Sequence, residues 1–318
     1  MLVFKFGGAS VKDADAVRNV AAILAEYKRE QLVVVVSAMG KTTNALEAVV
    51  DAYMNRSSDL ADKLQVVREF HEQILDGLGF EANHPVRTEI NNVFVEIDWV
   101  LEEEPSRGYG YSYDQIVAQG ELLSTRIVSA YLEKAGYANT WLDARDVIQT
   151  DNNYREAKVN WDTTTKLVRW RVPELMKKHN IIITQGFIGA TSENFTTTLG
   201  REGSDYSAAI FSFCLDAQEM TVWKDVPGVL SADPKFYDDA VKLEQISYHD
   251  AIELTYYGAT VIHPKTIKPL ENKGIPMRVR SFKAPQEKGT SIGNYQATTP
   301  LAPCFIFQTA QIPLSLST

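Results

Sequence analysis

The sequence predicts an α/β fold in which a mostly parallel sheet is covered by helices on both faces. Three observations carry this expectation. Short runs of apolar, largely β-branched residues recur along the 318 residues, as strands buried on both faces do. Helical patterns lie between those runs, and alternation of the two kinds of element implies a parallel sheet. Glycine-containing turns close the strands, where open α/β sheets bind ligands.

In chain order, residues 2–8 (LVFKFGG) read as a strand and its turn. Residues 13–28 read as a helix with Val17, Val20, Ala21 and Leu24 on one face and Asp13 at its start, where a carboxylate caps free N–H groups. Residues 32–40 (LVVVVSAMG) are a second strand. Leu60, Leu64, Val67, His71, Ile74 and Leu78 form one helical stripe. Ile116, Gly120, Leu123, Ile127, Ala130 and Tyr131 form another, closed by Gly136. Residues 180–189 (NIIITQGFIG) and 220–228 (MTVWKDVPG) are further strands. Residues 55–110, mostly helical with a loop near EEEPSRGYGYS, interrupt the rhythm and are expected to be an insertion or lid. The tail from about 296 reads as a Pro-rich linker running into a strand-like stretch.

Composition narrows the function. A chain that is 45% hydrophobic and 23% charged is ordinary globular material. With 32 Lys and Arg against 41 Asp and Glu, its net charge is −9 and it contains no basic block, which argues against nucleic acid as a partner. Acidic substrates then require a local cluster of cations. Cys214 and Cys304 form neither a zinc pattern nor a disulfide framework, so a reducing, cytoplasmic setting is expected. Residues 1–6 do not read as a signal peptide. The apolar runs, such as Leu32–Val36, are too short to span a membrane.

Several motifs sit at strand ends. Lys5-Phe6-Gly7-Gly8-Ala9-Ser10 joins the first strand to a helix. Its glycines would let backbone approach phosphate, and Lys5 would neutralise charge on a transferring phosphoryl group. Ser37 to Asn44 (SAMGKTTN) ends in a Gly-Lys-Thr, but Val35 stands where a phosphate-binding P-loop needs its first glycine. The stretch is instead expected to be a second phosphate and substrate loop. In Gly200-Arg201-Glu202-Gly203-Ser204-Asp205, Ser204 or Asp205 is expected to cap the helix over 206–213. Arg201 between two glycines suits bidentate capture of a carboxylate, and Asp205 suits holding nearby lysines or a metal. Residues 223–235, from Trp223 to Lys235, form a turn-rich loop able to hold a nucleotide, or a plain Pro-Gly turn. Glu121, beside the apolar stripe of its helix, is placed to point into a cleft. His263, before Pro264, reads as a packed turn residue rather than a base.

Together, KFGGAS, SAMGKTTN, GELLS, QGFIGAT, LGREGSDYSAA, KDVPGVLSADPK, YYGATVIHPKT and KGTSI, in this order over residues 1–295, resemble the amino acid kinase family and, within it, the aspartokinases. The resemblance implies a three-layer α/β/α sandwich around a central, mainly parallel sheet of eight strands. It implies transfer of the γ-phosphoryl group of Mg²⁺-ATP to the β-carboxylate of L-aspartate, opening the diaminopimelate route to lysine and the routes to threonine and methionine. By motif position, Lys5 and Asp205 would be the catalytic pair, and Lys5, Gly7, Gly8 and Ser10 would handle the transferring phosphate. Ser37, Thr43, Glu121, Phe187, Arg201 and Ser204 would line the aspartate site. Arg201 would take the α-carboxylate, and Glu121 would act through the amino group or a network around it. Lys224, Asp225, Leu230, Asp233, Lys235 and Thr260 would hold ATP. Residues up to about 215 would bind the amino acid, and residues from about 216 to 295 the nucleotide.

The chain departs from the family pattern at Ala9 (usually Thr), Lys224 (often Thr), Leu230 (often aromatic), Lys235 (often Arg), Glu202 (often Gly) and Thr260 (usually Lys). Lys224 is expected to supply the charge missing at position 260. Aspartokinases continue into regulatory ACT domains, so 296–318 is read as a linker toward a domain absent from this sequence, and feedback by lysine is not expected. Other readings stay open: a family member acting on glutamate, acetylglutamate, carbamate or a nucleoside monophosphate, or a non-catalytic paralogue that binds ligand. A homo-oligomer is also left open.

Overall fold

The strands that were legible in the sequence form the centre of the sheet. A computed structural model describes residues 1–232, 237, 239–256, 262–295 and 304 of the chain. β1 (Leu2–Phe6), β2 (Leu32–Val36) and β4 (Ile181–Gln185) lie side by side, and every residue of β2 and β4 is buried. Side chains alternate faces along a strand, so burial of all of them means that both faces are covered. β3 (Asn139–Leu142) forms one edge of the sheet. β7 (Glu219–Lys224) lies on the far side of β1, followed by β9 (Met277–Ser281), β10 (Thr290–Gly293) and β8 (Gln245–Ser247). The order is β3-β4-β2-β1-β7-β9-β10-β8. β10 runs antiparallel to β9 and parallel to β8, and the remaining pairs are parallel. β5 (Ile188–Ala190) and β6 (Thr196–Thr198) form a separate hairpin.

The chain first winds outward from β1 through β2 and later returns to β1's other side with β7. β1 is therefore the point where strand order reverses, and the crevice beyond its C-terminal end is the expected ligand position.

Helices fill the two outer layers. α1 (Ala14–Ala25) begins where expected, with Asp13 Oδ1 accepting the Ala16 N–H at 2.8 Å. α2 (Thr42–Met54), α3 (Leu60–Gly77) and α4 (Pro85–Glu102) follow. The predicted stripe on α3 is buried apart from Leu60, which is half-buried. The segment expected as an insertion thus contributes Leu64, Val67, Ile74, Ile90, Phe94 and Ile97 to the main core.

The third predicted helix is two helices. α5 (Tyr109–Val117) and α6 (Gln119–Lys134) meet at Ala118, and Gly136 turns the chain away at φ 87°. α7 (Trp161–Met176) and α10 (Pro264–Lys273) pack on α8 (Gly203–Leu215), which itself lies on β1 and β2, and α9 (Tyr248–Tyr256) follows β8. His263 caps α10, its Nδ1 accepting the Lys265 N–H at 3.1 Å, in keeping with a structural role. Among the described residues no helix is long and apolar enough to cross a membrane. The linker expected over 296–318 lies, apart from Cys304, outside the described residues.

Candidate active site

The turns that follow β1, β2 and β4 surround one cleft of about 930 Å³. The first two turns cross in contact. The Gly40 N–H donates to the Gly8 carbonyl at 3.0 Å, and a Cβ on Gly8 would lie 2.8 Å from the carbonyl oxygens of both Ala38 and Gly40. Only glycine fits there, and its bare backbone faces the cleft.

Lys5 stands near the end of β1 and is 8% exposed. A buried ammonium requires a partner, and Asp205 Oδ1 lies 2.7 Å from its Nζ. Lys224, the last residue of β7, brings its Nζ to 3.6 Å from Asp205 Oδ2. Burial alone would raise the Asp205 pKa, but the two ammonium groups outweigh it and hold the carboxyl below the usual carboxylate range.

The expected capping role of Ser204 and Asp205 is not found. α8 begins at Gly203, behind Glu202 in the left-handed conformation (φ 55°), and no side chain caps it. One further turn of helix carries Asp205 inward to the lysines instead.

Glu121, on α6, is also buried and lines the cleft. Its Oε2 has no hydrogen-bond partner. Desolvation pushes its pKa up to about 8, against the opposing pull of the Ala38 backbone N–H and Lys5. A carboxyl oxygen without a partner in a cleft of this kind, once its proton is released, suits a cationic ligand group. Arg201 is exposed on the turn across the cleft. Phe187 (φ 69°) is held in the left-handed region, its N–H donated to Ser207 Oγ at 2.9 Å.

The cleft thus brings together Lys5, Gly8, Ser37, Thr43, Glu121, Phe187, Arg201, Ser204 and Asp205. Gly7 lies beneath the lysine, where a Cβ would meet Nζ at 3.2 Å. Ser10 is buried and donates to the Trp223 carbonyl at 3.4 Å rather than facing the cleft. Asp225 is exposed beyond β7, and Leu230 is half-buried and bridged to Lys242. Asp233, Lys235 and Thr260 lie outside the described residues. Asn44, inside the predicted loop 37–44, also lines the cleft, whereas the reading of motifs missed Tyr113 and the segment 153–156, which complete its wall. An Asn-Asn turn at 152–153 was the only local signal in that segment.

A crossover α/β sheet with cationic side chains and glycine turns at its strand ends is a protein built to hold anions. Residues 1–281 match the amino acid kinase family, and the chain belongs to that family. It is 32% identical to lysine-sensitive aspartokinase 3 of Escherichia coli (strain K12) over 317 residues, 99% of this chain and 69% of that protein. It is 34% identical over 306 residues to the chloroplastic bifunctional aspartokinase/homoserine dehydrogenase 1 of Arabidopsis thaliana, covering 91% of this chain and 32% of that one. The chain therefore spans about a third of the bifunctional relative. The crystal structure of E. coli aspartokinase III in complex with aspartate and ADP superposes with a TM-score of 0.88 at 31% identity, covering 96% of this chain and 67% of that one.

Proposed function

We propose that the chain is an aspartate kinase, transferring the γ-phosphoryl group of ATP to the β-carboxylate of L-aspartate. The observation that carries this reading is the buried Lys5–Asp205–Lys224 cluster, beside a cleft lined by Arg201 and by Glu121, whose Oε2 has no hydrogen-bond partner. The aspartokinase relatives, one of them with aspartate and ADP bound, support it.

In this reading Arg201 takes the α-carboxylate and Glu121 the α-ammonium of the acceptor. One β-carboxylate oxygen then bonds to the γ-phosphorus while the bond from that phosphorus to the bridging oxygen of ADP breaks. No base is required, because the acceptor is ionised at neutral pH. Lys5 neutralises charge on the phosphoryl oxygens in flight, and Asp205 fixes where Lys5 points. Residues up to about 215 supply the acceptor side, and residues from about 216 supply the nucleotide side, with Lys224 providing charge toward the phosphates. Mg²⁺ bound with the nucleotide would further neutralise phosphate charge. The fit is to an ion held mainly by phosphate and water, since both Asp205 oxygens already face lysines.

The direct test is ADP release by the purified chain with Mg²⁺-ATP and L-aspartate, with hydroxylamine trapping the acyl phosphate. Aspartyl hydroxamate formed with aspartate and not with glutamate is the expected result, and folded protein that forms none overturns the proposal. Lys5→Ala should lower kcat by roughly 100-fold or more while changing KM much less. Lys224→Ala should raise KM for ATP, and an unchanged value would remove Lys224 from the nucleotide site.

A further inference from the structure

Arg155 lines the cleft from a segment that no sequence motif marks. Its backbone is in the left-handed region at φ 72°, a conformation that costs an arginine roughly 1–3 kcal/mol and persists only when its surroundings impose it. Asp114 imposes it. This carboxylate, on α5, is fully buried, and its two oxygens accept the Arg155 N–H at 3.1 and 3.0 Å. The same oxygens accept the Thr198 N–H at 2.9 Å and the Thr198 hydroxyl at 2.7 Å. One buried side chain therefore ties α5, the hairpin and the segment containing Arg155 into a single wall.

That wall abuts the turn carrying Arg201. A Cβ on Gly200 would lie 3.2 Å from the Arg155 carbonyl oxygen, so the two arginines line the cleft from segments in contact. The Arg155 guanidinium lies over the rings of Tyr113 and Tyr109, at 4.7 and 5.3 Å from their centroids. Its acidic neighbour Glu47 is 4.0 Å away, beyond hydrogen-bond length. A guanidinium braced on ring faces has N–H groups left for a planar anion.

We propose that Arg155 is a second carboxylate-reading cation of the amino-acid cleft, acting beside Arg201 on the dicarboxylate acceptor, and that Asp114 is the positioning residue that aims it. This rests on the reading of the cleft as an aspartate site. A doubly anionic acceptor has one more carboxylate than Arg201 can hold alone, and an approaching phosphoryl donor adds repulsion. A second arginine on the rim meets both demands without occupying the transfer position beside Lys5.

The experiment combines calorimetric titration of L-aspartate with steady-state kinetics on the full chain. Arg155→Ala, an exposed change, should weaken aspartate binding and raise its KM by roughly ten-fold, the worth of one charge-assisted pair. KM for ATP and the melting temperature should stay near wild type, and Arg155→Lys should restore part of the loss. Asp114→Asn should raise KM for aspartate selectively, and adding it to Arg155→Ala should cause little further rise, because it acts through that side chain. Arg155→Ala with wild-type aspartate affinity, or with aspartate and ATP affected equally, overturns the assignment while leaving the aspartate reading intact. Wild-type protein that neither binds aspartate nor forms its hydroxamate overturns both.

Discussion

Asp205 and Glu121 are two buried carboxyl groups in one cleft, and their surroundings push them in opposite directions. Asp205 faces two ammonium groups and stays ionised. Replacing it with Asn would remove the carboxylate that Lys5 and Lys224 share. Asp205→Asn should therefore cost roughly 3 kcal/mol of stability, the usual penalty for breaking a buried pair, measured by urea unfolding. Glu121 has its pKa raised from 4.5 to about 8, chiefly by burial. Between those values the unfolded chain has released this proton while the folded chain retains it, so folding stability falls as pH rises through the window. Glu121→Gln cannot titrate, so its melting temperature relative to wild type should climb from pH 5 to pH 8. The same proton must leave before an ammonium can pair with the carboxylate. In the wild type kcat/KM for aspartate should therefore rise with pH toward 8, and in Glu121→Gln that rise should disappear.

At the scale of elements, the end of β4 and the start of α8 are pressed together. A Cβ on Gly186 would lie 2.5 Å from Ser204 Cβ, and one on Gly203 would lie 2.6 Å from the Phe187 ring. Gly186→Ala must push α8 away from the sheet and carry Ser204 and Asp205 with it. We expect a loss of roughly 1–3 kcal/mol from overpacking and a fall of about 100-fold in kcat, since a displacement near 1 Å suffices for that. These junctions were legible in the sequence because strand, glycine turn and helix follow one another locally. So were the central strands, whose apolar runs match burial on both faces. β3 was not, because Asn139 and Thr140 break the apolar run. β9 (MRVRS) alternates buried and half-buried positions, and β5 and β6 are three residues each. The cleft wall at 153–156 was hidden for a different reason: its anchor, Asp114, lies 41 residues before Arg155, and no local pattern encodes that pairing.

For the molecule as a whole, a net charge of −9 coexists with a cleft lined by Lys5, Arg155 and Arg201. Glu121, Glu156, Glu202 and Asp205 line the same cleft beside those three cations, so selection of an anionic ligand rests on where individual charges stand rather than on the net field. Helices α2 to α4 share their apolar faces with the main core, so changes in the sheet should register globally. Val34→Ala, at the fully buried centre of β2, should lower unfolding free energy by about 2–3 kcal/mol. Turnover per folded molecule should be little changed, because no cleft residue is touched.

Trp223 lies at the hinge between these scales. It is buried, stacked on Phe6 at 5.8 Å with the Arg280 guanidinium 4.6 Å from its ring. Its carbonyl receives the Ser10 hydroxyl, and the next residue is Lys224. Of the five tryptophans, Trp99 and Trp170 are largely exposed and Trp141 and Trp161 half-buried. The blue edge of the emission spectrum therefore belongs to the indole next to Lys224 in sequence. The chain carries its own optical gauge of the junction between β1 and β7, readable in the native protein without any label.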